Sequence, residues 1–249
     1  MKGYNGVYMM GHFPEPSFFE EAAVRALERF SFLEIGVPFS DPVADGPVIA
    51  NAGHEVLSRG FAFNKLIESV HRIRSRTPKG KKIYFMLYAN IVHRIGAEAF
   101  ARLCRDEGIA GAILPDVPGV ESASFGKAFR QRGVELVRFV SPESTPSQIR
   151  EAARATRGFL YFISLRGITG SALDLDGETR ERIALARGLA RVPVVLGFGV
   201  GSAADAAEAL RHADGFIMGT RIVQEMRGAD MRGFCQFLDE LEAGLSRAS

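Results

Sequence analysis

The stretch Phe32-Leu-Glu-Ile-Gly-Val-Pro-Phe-Ser-Asp-Pro-Val-Ala-Asp-Gly-Pro47 joins a short apolar strand to a loop rich in proline, glycine and acid. The strand carries one carboxylate, Glu34, and the loop two more, Asp41 and Asp45. A carboxylate on an apolar strand costs free energy unless it is hydrogen-bonded or used chemically. Burial raises its pKa and suits it to proton transfer near neutral pH. Glu34 is therefore the first candidate catalytic group, with a structural pairing to an arginine as the alternative. Asp45-Gly46 reads either as a second functional carboxylate or as a turn, since Asp-Gly marks turns. Asp41, before Pro42, reads as a loop acid bonding nearby backbone.

Working outward, strands of the same apolar kind are predicted at 7–10, 83–87, 110–114, 134–139, 159–163, 192–196 and 215–218, with 32–35 as the second in order. Amphipathic segments lie between them at 17–29, 63–74, 97–107, 121–132, 146–155, 178–190 and 203–210, and a last one at 232–243. Ser17 and Ser202 read as helix caps. Strands apolar enough to be buried on both faces, each followed by a helix, point to a parallel sheet. A closed (β/α)8 TIM barrel accounts for all eight units, and a doubly wound open sheet is the other architecture considered. No linker divides the chain, so residues 1–249 read as one domain.

Composition narrows the function. Of 249 residues, 47% are hydrophobic and 24% charged, enough apolar content for a large core. The net charge is +2 and interspersed, so neither nucleic acid nor a membrane is expected as a partner. The basic run Arg74, Arg76, Lys79, Lys81 and Lys82 reads as a solvated connection. No apolar run approaches the ~18 residues of a spanning helix, and no secretory signal opens the chain. Cys104 and Cys235 read as buried thiols of a reducing, cytoplasmic setting.

In a barrel, chemistry sits at the C-terminal ends of the strands. Glu34 falls near the end of strand two and Asp45 in the loop after it. Tyr88 and Asn90 follow strand three, and Asp116 follows strand four. Two connections, 36–61 and 164–176, are long enough to be lids or binding elements. Glycine-bearing turns follow strands six, seven and eight: Arg166-Gly-Ile-Thr-Gly-Ser171, Gly197-Phe-Gly-Val-Gly-Ser202 and Met218-Gly-Thr-Arg221. Such turns let backbone N–H groups approach phosphate oxygens, most of all where a short helix opens. Residues 221–226 fit that short helix, and Thr220 can add a hydroxyl.

Several of these segments together resemble the tryptophan synthase alpha subunit family. They are Leu33-Glu-Ile-Gly-Val-Pro-Phe-Ser-Asp-Pro-Val-Ala-Asp-Gly-Pro47, Tyr88-Ala-Asn90, Pro115-Asp-Val-Pro118, Gly167-Ile-Thr-Gly170, Gly197-Phe-Gly199 and Gly219-Thr220, in the family's order. The likeness runs from about Val7 onward. It implies retro-aldol cleavage of indole-3-glycerol phosphate to indole and glyceraldehyde 3-phosphate, a carbon–carbon lyase reaction of tryptophan biosynthesis. By motif position, Glu34 matches the general acid/base that protonates indole C3, and Asp45 the carboxylate beside the indole N–H. Gly170, Gly199, Gly219 and Thr220 match phosphate-binding positions, and Tyr161 and Phe198 line the substrate pocket. The resemblance also implies a beta subunit partner in an α2β2 complex, met near Pro42, Asn90 and the strand-six loop.

The residues agree with that chemistry. Two carboxylates can divide acid and electrostatic work if their environments separate their pKa values. Glu34 is expected to have the raised value and Asp45 to stay ionised. Tyr8, Met86, Ile113 and Phe198 suit a flat aromatic substrate, though the same side chains could be barrel core. A Schiff-base aldolase needs a strand-end lysine. Lys2, Lys65, Lys79, Lys81, Lys82 and Lys127 do not supply one. His54, His71, His93 and His212 are scattered, so no metal and no other cofactor is expected. A stand-alone indole-producing lyase, a non-catalytic barrel serving as assembly partner, and another phosphate-binding barrel such as an isomerase are the competing readings. The family's leading helix is missing ahead of strand one, which predicts an exposed apolar patch, or a substitute cover, on the N-terminal face. His12 stands where the family has glycine and reads as a surface turn histidine. Leu165 stands where some members have arginine, and Thr220 replaces a common serine.

Overall fold

The computed structural model describes residues 3–117, 123–163, 173, 175–228 and 230–248. Eight parallel strands close into a barrel in chain order. They are β1 (Gly6–Met10), β2 (Phe32–Gly36), β3 (Lys82–Met86), β4 (Gly111–Ile113), β5 (Glu135–Val140), β6 (Leu160–Ile163), β7 (Val194–Gly197) and β8 (Gly215–Met218). Around them lie α1 (Pro16–Arg29), α2 (Pro47–Ser58), α3 (Phe63–Arg76), α4 (Ala89–Ile95), α5 (Ala97–Asp106) and α6 (Ala123–Gln131). The ring continues with α7 (Pro146–Ala155), α8 (Gly177–Leu189), α9 (Ala203–His212), α10 (Thr220–Gly228) and α11 (Met231–Ala248). The closed sheet excludes the doubly wound alternative.

Local chemistry explains most boundaries. Pro16 and Pro47 open α1 and α2, where a missing N–H costs nothing. Thr145 and Gln148 form a reciprocal capping box on α7. Ser202 caps α9 as expected, by accepting from the Asp205 N–H. Ser17 does not cap α1. It lies inside the helix and donates to Glu15 at the cap position. The connection 36–61 holds α2, whose first turn hides behind the proline and glycine of the loop before it. The helix at 89–95 was likewise unforeseen, since its seven residues are too few for a clear period.

The N-terminal pole carries a cover and not an apolar patch. Tyr4 donates its backbone N–H to the Asp214 carbonyl at 2.9 Å, drawing residues 3–5 across the barrel floor. Its ring stacks on Phe32 at 4.9 Å, and Phe32 stacks on Phe159 at 5.0 Å. The Tyr4 and Tyr84 hydroxyls lie 3.1 Å apart. Tyr84 donates to Glu135 at 2.6 Å, and Lys82 donates to the other oxygen of that carboxylate at 2.7 Å. Aromatic stacking thus seals the floor, and the Glu135 network satisfies its polar edges. Val43 is the one large hydrophobic residue fully in solvent among the described residues.

The basic run after α3 is more structural than expected. Lys82 begins β3 and enters the floor network, Arg74 donates to the Lys81 carbonyl at 2.6 Å, and Lys81 donates to the Phe30 carbonyl at 2.7 Å. Exposed pairs such as Arg72–Glu20 and Arg76–Glu21 tie α3 to α1. Their exposure keeps each worth little.

Replacing Tyr4 by Phe should keep the ring stack and cost about 1 kcal/mol, one hydrogen bond. Tyr4→Ala should cost roughly 3 kcal/mol by emptying the stack. Urea denaturation of both variants checks this, and midpoints equal to the parent chain would remove Tyr4 from the floor.

Candidate active site

Strand period 2 sets the depth of each group on β2. Phe32, Glu34 and Gly36 share one face, and Phe32 belongs to the floor. Glu34 therefore lies midway along the barrel interior and not at its rim, deeper than its place in the sequence suggests. It is fully buried, and neither carboxyl oxygen has a hydrogen-bond partner among the described residues. The arginine-paired alternative is thereby excluded for those residues. Burial pushes its pKa well above the ordinary carboxyl value.

Two phenols and two glycines surround it. Tyr8 on β1 is the register partner of Glu34, and Tyr161 approaches from β6. A Cβ at Gly36 would overlap the Tyr8 hydroxyl, and a Cβ at Gly197 would overlap the Tyr161 ring. Glycine at those two positions is what gives the rings room. Phe198 follows in the left-handed region, φ 69°, which is strained for a residue with a side chain. Its ring centre comes within 6.4 Å of that of Tyr161. Met86 and Ile113 pair in register on β3 and β4 and are both buried.

Asp45 reaches the chamber from the loop. Its backbone N–H meets the Pro42 carbonyl at 3.2 Å, so the turn reading of Asp45-Gly46 also holds. The loop is pinned by the Tyr88 hydroxyl, which accepts from the Ala44 N–H at 3.0 Å, while Phe39 stacks on the Tyr88 ring at 4.8 Å. Burial raises the Asp45 pKa to about 6, with the neighbouring Tyr88 hydroxyl offsetting part of the rise. A group of pKa about 6 is mostly ionised at pH 7. Tyr88 is the supporting residue that sequence reasoning left outside the site. Its signals were its place directly after a strand and the motif Tyr88-Ala-Asn90. Asp116 adds a second brace, accepting the Ala89 N–H on both oxygens at 3.0 and 3.1 Å.

Around the same mouth, with only β1 between β2 and β8, Gly219 leads from β8 into α10, which opens on Thr220. Gly199 turns with φ 79° after β7. The N-terminus of α9 is occupied by its own acid. Asp205 accepts from the Leu173 and Gly201 N–H groups at 2.9 and 3.1 Å and from the Ser202 hydroxyl at 2.8 Å. A helix end already holding a carboxylate is a poorer anion site than the start of α10. Gly170, Leu165 and the turn from Arg166 to Ser171 lie outside the described residues.

His12 is neither a surface residue nor in the chamber. It is buried, with φ 64°, and its ring packs edge-on against Phe19 and Phe61. Its Nε2 lies 3.0 Å from the Ser69 hydroxyl, which donates to Glu20 at 2.7 Å. Burial lowers its pKa. The partners come from α1 and α3, which the local sequence around the turn does not reveal.

A closed parallel barrel with one carboxyl buried in its interior and a second on the loop after the same strand defines a (β/α)8 barrel of the kind that carries its chemistry at the C-terminal strand ends. Comparison with known proteins names the family. A family model described as tryptophan synthase alpha chain matches residues 7–244, and the chain belongs to that family. The tryptophan synthase alpha chain of Deinococcus radiodurans is 35% identical over 243 residues, covering 96% of this chain and 88% of that one. That of Ralstonia nicotianae is 37% identical over 217 residues, covering 87% and 81%. Among solved structures, one from Aquifex aeolicus has a TM-score of 0.86 at 31% identity, covering 99% of this chain and 93% of that one. Ligand-free tryptophan synthase from M. tuberculosis has a TM-score of 0.85 at 29% identity, covering 98% and 93%. The α2β2 tryptophan synthase complex of Pyrococcus furiosus agrees in fold, with a TM-score of 0.86 at 24% identity over 98% of each chain.

The Glu34 pKa has a consequence for stability. A carboxyl whose folded-state pKa is raised binds more protons folded than unfolded, so stability falls as pH rises above the ordinary carboxyl value. Glu34→Gln removes that slope. The variant should melt at least about 2 °C above the parent at pH 8, on the scale of ~2–4 °C per kcal/mol for a chain of this size, with a smaller gap at pH 5. Thermal melts at both pH values check this, and a destabilised variant at pH 8 would mean that Glu34 is paired.

Proposed function

We propose that this chain cleaves indole-3-glycerol phosphate to indole and glyceraldehyde 3-phosphate and supplies the indole to a tryptophan synthase beta subunit. Family membership supports lyase activity in tryptophan biosynthesis. The observation that carries the finer reading is the buried Glu34 carboxyl without a hydrogen-bond partner, in one chamber with a second carboxylate of separated environment.

Glu34, held protonated by burial, delivers its proton to indole C3. The ring becomes cationic, and ionised Asp45 stabilises the charge at the ring nitrogen. The side-chain hydroxyl next to the breaking bond then returns a proton to the Glu34 carboxylate. As it does so, the electron pair of the C3–carbon bond moves into the ring, which regains its neutral aromatic form. The side-chain carbon becomes the aldehyde. One proton has moved from oxygen to carbon, and Glu34 ends as it began. No cofactor is needed for this balance.

Tyr161 and Phe198 flank the indole in this reading, and Gly170, Gly199, Gly219 and Thr220 hold the phosphate. Gly219 and Thr220 have the most support, since they stand at the start of a helix of nine residues. Residues 1–249 form one catalytic domain. No described helix is long and apolar enough to cross a membrane, which fits the proposed cytoplasmic setting. The partner face includes Pro42 and Asn90. Exposed Val43 lies in the same loop. A beta subunit seated there would bear directly on the turn that carries Asp45.

Purified chain should release indole from indole-3-glycerol phosphate, and more rapidly when a tryptophan synthase beta subunit is added. Strong release that the partner leaves unchanged would favour a stand-alone lyase. No release from folded protein under either condition would overturn the reading. Glu34→Gln should lower turnover by at least about a thousandfold, since the amide has no proton to deliver, within the ~10²–10⁴ range of general acid catalysis. The parent kcat/KM should fall on the acid side with a limb near pH 6, as Asp45 becomes protonated and loses its charge. That limb should be absent in Asp45→Asn, whose rate should be low at every pH. An acid limb that survives in the variant would assign it to another group.

A further inference from the structure

The proposed reaction leaves one problem open. Each time Glu34 gives up its proton, the barrel interior holds a carboxylate with no donor among the described residues, an expensive state. The phenols nearby differ in their freedom to help. Tyr84, register partner of Glu34 on β3, already donates to Glu135 on the floor side. Tyr88 is committed to the Ala44 N–H and the Asp45 loop. Tyr8 and Tyr161 remain, both fully enclosed and both under the electrostatic influence of Glu34.

Tyr8 is the better placed of the two. It is the direct register partner of Glu34 on the adjacent strand, so the two side chains leave the sheet on the same face. Its hydroxyl occupies the space above Gly36 that any Cβ would fill, two residues beyond Glu34 on β2. Its Cβ lies 3.6 Å from where a side chain would start at Gly219, so the ring is held between β2 and the turn into α10. Asp45 also acts on it, so the phenol is within electrostatic reach of both carboxylates.

We propose that Tyr8 is a further positioning residue, whose hydroxyl donates a hydrogen bond to the Glu34 carboxylate formed when the proton passes to carbon. This rests on the lyase reading above. Tyr8 keeps its own proton throughout: the bond forms as Glu34 becomes charged and breaks when Glu34 recovers the proton from the substrate hydroxyl. It stabilises a charge present only after proton transfer, so it acts on kcat and hardly on binding. Gly36 is the accompanying requirement, because only an absent side chain leaves the hydroxyl its position.

Tyr8→Phe is the test, since it keeps the ring and removes only the donor. Turnover of indole-3-glycerol phosphate should fall about 10- to 100-fold, the worth of a hydrogen bond to a charged group, with KM within about threefold. The basic limb of kcat/KM, set by loss of the Glu34 proton, should move up by about one pH unit. Infrared titration of the carboxyl band that disappears in Glu34→Gln reads the same pair without substrate, and its midpoint should also be higher in Tyr8→Phe. Unchanged kcat with unmoved limbs would overturn the proposal, as would a rise in KM alone, which would make Tyr8 a binding contact. If Tyr161→Phe moved the infrared midpoint and Tyr8→Phe did not, the role would belong to Tyr161 and the proposal would be wrong. A parent chain that releases no indole would instead defeat the lyase reading, while the infrared midpoints would still decide whether Tyr8 bonds Glu34.

Discussion

The cost of keeping an acid inside an apolar barrel organises this molecule. Glu34 lies at mid-depth with no hydrogen-bond partner among the described residues, and the environment that denies it one also holds it protonated. The floor below it is sealed by Tyr4, Phe32 and Phe159, which keep water from that side. Above it, Gly36 and Gly197 withhold side chains so that Tyr8 and Tyr161 can enter. Each neighbour thus contributes either by excluding solvent or by leaving space. A barrel filled evenly with branched aliphatic side chains would be the more stable solution. The departures from that filling are concentrated around this one group.

The two carboxylates are separated by degree of burial and not by chemistry. Glu34 is wholly enclosed by strands, whereas Asp45 rides on a turn held by Tyr88 and half-open to solvent. Burial raises both pKa values, and Asp45, at about 6, is mostly charged at neutral pH. The Asp45 turn is fixed from the β3 connection through Tyr88, and that connection is fixed in turn by Asp116 after β4. In the proposed reaction, a partner that moved this turn would alter the charge offered to the substrate ring without touching the interior acid. That gives a physical route for coupling a second subunit to the chemistry.

Polar residues at the ends of the barrel have opposite tasks. Glu135, Lys82 and Tyr84 satisfy one another at the floor and leave no free group for chemistry. His12, Ser69 and Glu20 do the same between α1 and α3. Both clusters look reactive by residue type alone. Their hydrogen bonds identify them as structural, in contrast with the unpartnered acid of β2. Unfulfilled bonding capacity, and not the presence of a titratable side chain, separates the candidate site from the supporting framework here.

The alternation of apolar strands with amphipathic helices determined a helix-covered parallel sheet from sequence, because strands buried on both faces need helices to cover them, and the closure into a barrel was decided by the tertiary structure. The run from Phe32 to Pro47 likewise marked Glu34 and Asp45, since acids among apolar and turn residues break the local pattern. What only the tertiary structure decided is whatever depends on residues distant in the chain. Tyr4 meets Tyr84 and Glu135 at the floor; His12 meets Ser69 on α3; Tyr8 finds its space over Gly36. The depth of Glu34 and the raised Asp45 pKa belong to the same group. A pKa is set by the solvent and charge that the closed barrel places around a group, and no local stretch of sequence contains that information.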